Sequence, residues 1–576
     1  MDVPSKVNTI VSDVLVIGGG LAGCNAAIAA AELGARVVVI DKGKIERSGD
    51  TGGGVDHFMA FMNTGEPWDT REAFLEYCWR VGKGTIDPQV LDEVVSKEMP
   101  DALQRMERIG ATLKQPDGTY YRTKSMGQPG PYWINFNGKR IKHALAAQIR
   151  HLGCTVLDKV ITTDMLVGDN RVVGATGFHI RTGEFHVING KAVVIATGNT
   201  NRLYQSPRLN PFNSWLSPFN TGDGIAMAFR AGAVLANMEY MRMTILPKGF
   251  AAPGFNAFTG MGGRFVNARG EYYMEKYHPQ GNKAPRYDVV FYSLKEIKEG
   301  RGPLFIDCTQ LSEQDFRHLE ETLGYDKDTL PDYLRQRGED LRNRPVEITV
   351  SEGMQAGPSE VAGSGIKVDK TSASTVPGLF ACGDACDANR CVHGAVTGGY
   401  RAGKSAAAYA LGLGDDAVSA GDPPADKHES AFVFLKRRGG ISYGEFEDII
   451  RKIMTEYVGT ERNENGLEVA LRKLARAKGL MNELRAGDLH ELMRVHESCN
   501  LWQVAEVVTH AALFRKESRN KPYHHRLDYP ATDDENWCGQ VLVRKGPGDS
   551  VQVSFQPLTF GMPGQQEGRE SQAAGL

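Results

Sequence analysis

The sequence predicts an α/β protein, and the clearest indications of this fold class lie near its N-terminus. Residues 13–17 form a short apolar run, and the glycine-rich stretch 18–23 follows it directly. An alanine-rich segment extends to residue 33, and a second apolar run, 35–40, then stops at Asp41. This order of strand, tight turn, helix, strand and carboxylate is typical of a Rossmann-like dinucleotide-binding domain.

Each part of the glycine turn has a physical role in this interpretation. Gly18 permits the turn, Gly20 lets the backbone approach a pyrophosphate, and Gly23 lets the helix pack closely on the strand. The first helical amides, at Leu21 and Ala22, present N–H groups and the positive end of the helix dipole to the phosphates. An ordinary glycine-rich turn is the alternative, and the flanking strand, helix and acid argue against it.

Asp41 and the segment after it extend the predicted binding surface. Asp41 is placed to accept a hydrogen bond from a ribose hydroxyl. Residues 42–54 combine glycines with small hydroxyl residues, so a large flat group can lie against their backbone. The predicted contacts from this segment are Lys42, Ser48, Gly49, Gly52 and Gly53. A flexible loop is the alternative for this segment.

Apolar residues at helical spacing over about 70–110 are typical of a helix that packs against a protein core. Strand-like runs of apolar residues then lie between residues 155 and 195. The last run ends in Ala196, Thr197 and Gly198, a strand-to-Ala-Thr-Gly pattern typical of flavoproteins with two dinucleotide-binding domains. Asp223 follows within 221–224, just before a helix-like segment. We expect all four residues to lie near a bound dinucleotide.

A further pair of glycine-rich landmarks occurs after residue 377. Residues 378–384 indicate a strand followed by Gly383 and Asp384, whose carboxylate suits a ribityl hydroxyl. Gly398 and Gly399 are predicted to form a turn that opens an alanine-rich helix over 404–411. The N-terminus of that helix would face the electron-rich end of a reduced flavin.

The bulk composition excludes several classes of protein. The net charge of −3 arises from 67 basic and 70 acidic residues mixed along 576 positions, which disfavours a nucleic-acid partner. No apolar segment approaches the roughly 18 residues of a membrane span, and the N-terminus lacks a signal-peptide core. Nine cysteines in such a chain favour a reducing cytoplasm. Cys382, Cys386 and Cys391 match no metal or cluster spacing, so no metal site is predicted.

The order of these segments predicts several domains. The first part of the nucleotide-binding domain spans 1–214, an inserted α+β capping domain spans 215–352, and the second part of the nucleotide-binding domain spans 353–414. A Gly/Pro/Asp-rich linker over 414–424 precedes a helical bundle at 430–516. A C-terminal extension at 517–576 ends in a polar, frayed tail.

The chain resembles the flavoprotein subunits of the succinate dehydrogenase/fumarate reductase superfamily, most closely the adenylylsulfate reductase alpha subunit branch. The resemblance covers nearly the whole chain and rests on the stretches 18–23, 46–49, 196–198, 221–224, 284–286, 383–384, 488–494, 514–519, 526–530 and 533–537. It implies a two-dinucleotide-binding-domain flavoprotein with a bound FAD, an inserted capping domain, a C-terminal helical bundle and an extension.

Departures from the family pattern bear on cofactor attachment and on the substrate. Members with covalent FAD carry a histidine where this chain has Gly49, so the flavin is expected to be non-covalent. The arginine and asparagine that adenylylsulfate reductases place near the flavin fall on Leu246 and Met59, whereas their tryptophan survives as Trp215. Residues 243–246 also lack the His-Pro-Thr of fumarate reductases.

The resemblance also implies which residues deliver a proton and bind the substrate. Arg286 matches the arginine that fumarate reductases use to deliver a proton, and the nearest candidate relay is Asp288; a structural salt bridge is the alternative. His393 and Arg390 lie where the superfamily places ligands for the substrate anion, although a structural role for a lone histidine is equally open.

Several further polar residues are weaker candidates. Arg242, Lys248 and Arg264 are candidates for the capping side of the site or for ordinary surface charges. Residues 56–57, an Asp-His pair, replace small residues of the adenylylsulfate reductase pattern and suggest a polar feature peculiar to this pocket. The histidine pair at 524–525 is expected to be structural.

Together these observations predict an FAD-dependent oxidoreductase, the catalytic subunit of a reductase acting on a small anionic substrate, with a conjugated carbonyl compound as the expected type. The chain shows neither a second fingerprint for a nicotinamide nor an iron–sulfur ligand set. As in the family that the chain resembles, a ferredoxin-like iron–sulfur partner subunit or a soluble carrier is therefore implied, and a homo- or a hetero-oligomer stays open. The alternatives are a flavin relay subunit with no substrate site and the alpha subunit of a true adenylylsulfate reductase.

Overall fold

Strands form at and beyond the predicted positions in the computed structural model, which describes residues 6–251, 255–326, 329–388, 390–414 and 425–561. The predicted linker over 414–424 and the predicted tail over 561–576 lie outside the described residues, except for Gly414 and Gly561. The strands are β1 Val7–Ile17, β2 Val37–Asp41, β3 His57–Met59, β4 Arg122–Thr123, β5 Trp133–Asn135, β6 Thr155–Asp158, β7 Val160–Gly168, β8 Arg171–His179, β9 Phe185–Ile195, β10 Leu235–Ala236, β11 Met241–Arg242, β12 Ile245–Pro247, β13 Arg264–Val266, β14 Leu304–Asp307, β15 Val346–Val350, β16 Met354–Gln355, β17 Gly365–Ile366, β18 Leu379–Ala381, β19 Gly539–Lys545 and β20 Val551–Pro557.

Helices occupy much of the remaining chain. They are α1 Leu21–Glu32, α2 Arg71–Gly82, α3 Pro88–Leu91, α4 Met99–Arg108, α5 Ile141–His151, α6 Asp223–Arg230, α7 Phe255–Gly260, α8 Met274–Tyr277, α9 Arg286–Lys298, α10 Glu313–Asp326, α11 Thr329–Gln336, α12 Cys391–Gly412, α13 Ala425–Phe432, α14 Tyr443–Tyr457, α15 Glu464–Leu480, α16 Leu489–Phe514 and α17 Asp534–Trp537. The helical stripe predicted over 70–110 is broken after α2, where Lys83 adopts a left-handed φ of 47°.

A seven-stranded sheet is built around the first predicted βαβ unit. Its strand order is β6-β2-β1-β9-β8-β7, and β18 pairs with the C-terminal end of β9. The strands β6, β2, β1, β9 and β18 run parallel to one another, whereas β8 runs antiparallel to both β9 and β7. The parallel strands end at one edge of the sheet, so the glycine turn after β1, the Ala-Thr-Gly turn after β9 and Gly383 after β18 meet there.

Close backbone packing joins α1 to α12. A Cβ built on Gly399 would lie 2.3 Å from the carbonyl oxygen of Ala22, and one on Gly403 would lie 2.2 Å from that of Ala26. Real Cβ contacts are not this short, so only glycine lets the two helices approach so closely. The prediction that Gly398 and Gly399 form a turn opening the helix is therefore wrong: both lie inside α12, which already begins at Cys391.

Smaller sheets and a helical region surround the central sheet. An antiparallel sheet of order β12-β15-β14-β13 and a three-stranded sheet β3-β5-β4 lie outside it. A further four-stranded sheet has the order β17-β10-β19-β20. The helices α14, α15 and α16 pack against one another. This mixed architecture with a helical C-terminal region confirms the predicted fold class, while the predicted domain boundaries stay predictions. Within the described residues no helix combines the length and apolarity that crossing a bilayer requires.

A buried charge network ties the helical region to the nucleotide-binding part. Glu497 on α16 lies 2.8 Å from Lys42, 2.9 Å from Arg202 and 2.6 Å from Arg494. Arg202 also lies 2.9 Å from Glu447 on α14. Burial alone would raise the pKa of Glu497, but the cations of Lys42, Arg202 and Arg494 outweigh that effect and lower the pKa to about 2. The carboxylate is thus ionised and central to this interface.

Glu497→Gln is expected to lower the free energy of unfolding by about 3 kcal/mol, because it leaves buried cations without their shared counter-charge. Chemical denaturation at pH 7 measures the loss. The matched control is Glu468→Gln, whose exposed pair with Arg472 spans 3.7 Å and should contribute less than about 1 kcal/mol. Equal, small effects for both variants would contradict a structural role for the network.

The Glu497 carboxylate is expected to make the free energy of unfolding depend on pH. Its folded-state pKa of about 2 lies below the ordinary value of 4.5, so its stabilisation is complete above pH 4.5. That stabilisation is lost as pH falls from 4.5 towards 2. Denaturation curves at several pH values should therefore show a shallower acid loss in Glu497→Gln than in the parent; parallel curves would contradict the assigned pKa.

Candidate functional site

A cavity of about 530 Å³ opens at the edge of the sheet where the parallel strands end. The predicted site residues that line it are Gly18, Gly20, Leu21, Ala22, Asp41, Lys42, Ser48, Gly49, Ala196, Thr197, Gly198, Trp215, Asp223, Arg286, Asp384, Arg390 and His393. The predicted residues that do not line it are Gly23, Gly52, Gly53, Gly383, Gly398 and Gly399. Segments far apart in sequence thus meet around one space, while the individual binding roles stay predictions.

Glycines behind the cavity wall set the positions of the elements that form it. A Cβ on Gly23 would lie 1.8 Å from the carbonyl oxygen of Gly18, so this glycine lets α1 pack on the turn. A Cβ on Gly383 would lie 2.7 Å from the Cβ of Ala22, and Gly399 meets the same alanine from α12. These glycines act through packing and not through direct contact with a ligand.

The remaining predicted glycines outside the cavity divide in the same way. A Cβ on Gly52 would lie 2.0 Å from the carbonyl oxygen of Arg47, so Gly52 allows the tight fold of its loop. Gly53 is exposed, and a Cβ on Gly398 would make an ordinary 3.5 Å contact with Val94. The structure gives neither of these two a position on the cavity.

The N-terminus of α1 offers an open cradle for an anion. Gly20 is the N-cap of this helix and has no side chain to bond the first helical amides. Among the described residues, a Cβ on Gly20 would meet the Cα of Gly49 at 3.9 Å and no other atom within 4 Å, so these residues leave the space in front of the helix open. Unsatisfied helical N–H groups beside open space suit the pyrophosphate of a dinucleotide.

Asp41 at the end of β2 is held in a fixed orientation. Its carboxylate accepts from the amide of Gly19 at 2.7 Å and from that of Gly43 at 2.6 Å. The Ser48 hydroxyl donates to the Gly19 carbonyl at 2.9 Å, and the buried ammonium of Lys142 donates to the same carbonyl. Sequence reasoning missed Lys142, because a lysine in the amphipathic helix α5 looks like a surface residue.

Lys42 and Asp223 form ion pairs and hydrogen bonds with other side chains of the protein. Lys42 donates to Asp223 at 2.6 Å and belongs to the Glu497 network, while Asp223 also accepts from Asn500 of α16 at 2.9 Å. The helical region therefore forms part of the cavity wall. Its lining residues are His490, Met493, Arg494 and Glu497. The first three lie in the stretch 488–494 that carries the family resemblance, but the sequence nominated none of the four as a site residue.

Three arginines converge on the opposite part of the cavity. Arg286 on α9 lies 3.3 Å from the carboxylate of Glu360 and donates to Asn256 at 2.9 Å. Arg390 pairs with Asp384 at 2.6 Å, and the fully buried Arg242 lies among the charges of Glu360 and Asp384. This cluster, Arg242, Arg286, Arg390, Glu360 and Asp384, is called the arginine cluster below.

The carboxylate beside Arg286 belongs to Glu360 and not to Asp288, the residue expected from the sequence. Asp288 is the relay expected from the sequence, but it does not line the cavity and instead lies 3.9 Å from His278. Glu360 is 2% exposed and, within the described residues, its carboxylate oxygens have no hydrogen-bond donor beyond the Arg286 ion pair. Its Gly/Pro-containing loop carries no motif that would have identified it.

His393 and Trp215 add polar atoms to the cavity surface. Burial lowers the pKa of His393 to about 3, so its imidazole is neutral at pH 7. Its Nε2, like the indole nitrogen of Trp215, has no hydrogen-bond partner in the described part of the chain. Trp215 is held by a 2.9 Å bond from its amide to Glu352 and packs against Leu246.

The remaining residues singled out in the sequence include side chains that lie away from the cavity. Lys248 and Arg264 do not line the cavity and form exposed pairs with Glu347 and Glu275. His524 is fully buried in a cluster of arginines. All nine cysteines are free, and the described residues hold no group of three side chains able to bind a metal ion.

These features define a dinucleotide-binding protein with a cationic cavity beside the nucleotide cradle. The chain matches the family described as FAD binding domain over residues 13–403, and the family described as fumarate reductase flavoprotein C-term over residues 447–569. The first match alone covers more than half of the chain. The protein therefore belongs to this family of FAD-binding flavoproteins and is an FAD-dependent oxidoreductase.

Known proteins resemble it along nearly their whole length. An uncharacterized FAD-dependent oxidoreductase of Methanocaldococcus jannaschii is 28% identical over 559 residues, covering 92% of this chain and 96% of that one. One subunit of the fumarate reductase (CoM/CoB) of Methanothermobacter marburgensis is 29% identical, covering 92% and 97%. The adenylylsulfate reductase structure from Archaeoglobus fulgidus aligns with a TM-score of 0.87 and 25% identity, covering 96% and 97%.

The comparisons confirm the predicted superfamily, the oxidoreductase class and the FAD cofactor. The cavity fits that cofactor on independent grounds. The cradle at Gly20 is open, and the buried hydroxyls of Thr51 and Thr197 on the cavity wall have no hydrogen-bond partner among the described residues. Such orphaned groups are ready to bond a polar ligand.

Gly20→Leu is expected to reduce the FAD content of the purified protein at least about tenfold, because the new side chain would fill the space before the α1 amides. Absorbance of released flavin per mole of protein gives the readout. Gly479→Leu on α15, where a Cβ meets nothing within 4 Å, is the control and should retain FAD. Full FAD content in Gly20→Leu would contradict the assigned phosphate cradle.

Proposed function

We propose that this protein is the catalytic flavoprotein subunit of a reductase that passes hydride from a non-covalent FAD to a small anionic substrate of the conjugated carbonyl type. The observation that carries the proposal is the arginine cluster on the cavity wall. Arg242, Arg286 and Arg390 supply three positive charges, and Glu360 and Asp384 supply two negative ones. The five side chains of the cluster therefore carry a net charge of +1, which would attract a substrate carboxylate.

The buried position of the cluster strengthens its pull on an anion. Arg242, Arg286 and Arg390 are each no more than 5% exposed, so water screens their charges weakly. Positive charge fixed in this way also stabilises negative charge that develops on a conjugated carbonyl during reduction. FAD, when bound, supplies the hydride-transfer chemistry, and the chain supplies position and charge.

Arg286 and Glu360 are suited to handle the proton that accompanies the hydride. A guanidinium alone is a poor proton donor because it holds its proton strongly. Burial lowers the pKa of Arg286, and Glu360 at 3.3 Å opposes that effect. Glu360, after taking up a proton that enters the cavity from solvent, is thus the residue that would pass it to Arg286, in place of Asp288.

The mode of FAD binding and the electron donor are part of the proposal. Gly49 lines the cavity without a side chain that could form a covalent link to flavin. The relative from Methanothermobacter marburgensis is named as one subunit of a fumarate reductase, which supports a separate partner for this chain. We infer a ferredoxin-like iron–sulfur partner, and a cytoplasmic location stays a prediction.

The alternatives are less well supported. The structural similarity agrees with an adenylylsulfate reductase, but Met59 lines the cavity and Leu246 packs behind Trp215, where that branch has polar residues. AMP-dependent sulfite oxidation by FAD-loaded protein would establish this alternative. A relay subunit without a substrate site would have no use for three buried arginines on its cavity.

Arg286→Ala is expected to retain FAD and to slow the reoxidation of the reduced protein by enoate substrates at least about a hundredfold. Stopped-flow absorbance after dithionite reduction, with a panel of enoates as oxidants, measures the rate. Arg264→Ala, which removes an exposed arginine outside the cavity, is the control and should leave the rate unchanged. An unchanged rate in Arg286→Ala would remove this residue from the mechanism.

A further inference from the structure

A cysteine at the N-terminus of α12 borders the same cavity as the arginine cluster. Cys391 is the first residue of this 22-residue helix and lines the cavity. It is partly exposed, whereas Cys382, which lines the same cavity, is 1% exposed. Because a thiol reacts only where its partner can reach it, Cys391 is the accessible thiol of these two.

The backbone holds Cys391 in an uncommon conformation. Its φ of 65° lies in the left-handed region, which residues with a Cβ seldom adopt. The amide of Cys391 donates to the Asp384 carboxylate at 2.9 Å, and Arg390 pairs with the other oxygen of that carboxylate at 2.6 Å. The Sγ atom donates to the backbone carbonyl of Glu360 at 3.4 Å. These contacts fix the strained residue and the position of its sulfur atom.

Arg242, which also lines the cavity, is a buried hydrogen-bond donor with unused capacity. The residue is 1% exposed. Its guanidinium donates to the carbonyl of Ser359 over a long distance of 3.5 Å, and its Nε atom has no partner in the described part of the chain. A buried guanidinium that is bonded so incompletely beside a cavity indicates that a ligand atom completes its bonding.

Electrostatics place Arg242 close to Cys391. Burial alone would lower the pKa of Arg242, but the negative charges of Glu360 and of a Cys391 thiolate outweigh that effect and raise the pKa. The guanidinium therefore stabilises negative charge that forms near this sulfur atom. The N-terminus of α12 contributes the positive end of its helix dipole at the same place.

A thiol beside such a donor suits addition to a conjugated carbonyl compound. The sulfur forms a bond to the β carbon, and the electron pair of the C=C double bond moves towards the carbonyl oxygen to give an enolate. The α carbon then takes a proton from water, which balances the proton that the thiol has lost. No electrons pass to or from a flavin. The charge that develops on the oxygen is the charge that Arg242 can stabilise.

We propose that Cys391 is a covalent addition site for conjugated carbonyl compounds, which it captures as thioethers while Arg242 stabilises the enolate. This activity goes beyond the proposed hydride transfer and does not depend on it. An adduct on Cys391 would occupy part of the cavity, so it would also block any reaction that uses the same space.

The ratio of two alkylation rates tests the proposal in the FAD-loaded protein. Acrylamide reacts through its conjugated carbonyl and develops enolate charge, whereas iodoacetamide loses iodide and develops no charge on its oxygen. Both are small neutral amides that react with the thiolate, so the ratio of their rate constants cancels differences in thiolate fraction and largely in access. Mass spectrometry of the cysteine-containing peptides quantifies each adduct over time.

Cys154 is the internal reference for this ratio. It is partly exposed like Cys391 but does not line the cavity, and burial raises its pKa to about 11. We expect the ratio of the acrylamide to the iodoacetamide rate constant to be at least about tenfold higher at Cys391 than at Cys154, because Cys391 has a donor for the enolate oxygen.

Three variants assign the effect to its residues. Cys391→Ser should remove the adduct from this peptide and leave the adduct on Cys154. Arg242→Gln should bring the ratio at Cys391 to within about threefold of the ratio at Cys154, because the enolate loses its donor. Lys248→Gln, which removes an exposed cation outside the cavity, is the control and should keep the parent ratio.

The outcomes bear on this inference separately from the proposed function. Equal ratios at Cys391 and Cys154, or no modification of Cys391 by either reagent, would overturn it, and so would a high ratio that survives in Arg242→Gln. If Arg242→Gln loses FAD, the comparison of the two cysteines within the parent protein decides. Hydride transfer is tested by the Arg286 variant and stands or falls on its own.

Discussion

Close backbone approach around the first turn of α1 is the constraint on which the rest of this structure depends. Gly23 packs on Gly18, and Ala22 is contacted by Gly383 and by Gly399 of α12. A single Cβ added at Gly23, Gly383 or Gly399 would force these elements apart. Because they stay together, the unsatisfied N–H groups of α1, the end of β2 and the start of α12 all face one cavity.

The cavity has two chemically different parts as a consequence. Its nucleotide part is formed by backbone groups and by a carboxylate whose orientation neighbouring amides fix. The wall beside it is completed by α16, through the charge network centred on Glu497. Its other part is lined by buried arginines, by neutral His393 and by the Asp56–His57 pair. Such a division would leave the side chains of the second part free to vary without disturbing the nucleotide part.

Sequence reasoning was most informative where local spacing alone determines structure. The first βαβ unit, Asp41 at the end of β2 and the Ala-Thr-Gly turn after β9 were all located correctly, since each depends on neighbouring residues. The turn predicted at Gly398 failed because a glycine can serve helix packing as well as turn formation. Glu360 was missed because only the three-dimensional fold brings its loop to Arg286.

The same reasoning explains why the substrate was harder to predict than the cofactor. Dinucleotide recognition follows from a compact motif, whereas the arginine cluster draws residues from β11, α9 and the start of α12, and its charge balance is visible only in the assembled cavity. Asp56 and His57 stood out in the sequence as an unusual pair. The contact of His57 with Asn256, which is distant in sequence, is visible only in the folded structure.

The central claim is that this chain holds one FAD in the cavity before α1 without a covalent bond. Acid precipitation of the purified, cofactor-saturated protein, followed by flavin analysis of pellet and supernatant, tests it most directly. The account predicts about one FAD per chain, all of it in the supernatant. A colourless protein after incubation with FAD, or flavin retained in the pellet, would contradict it.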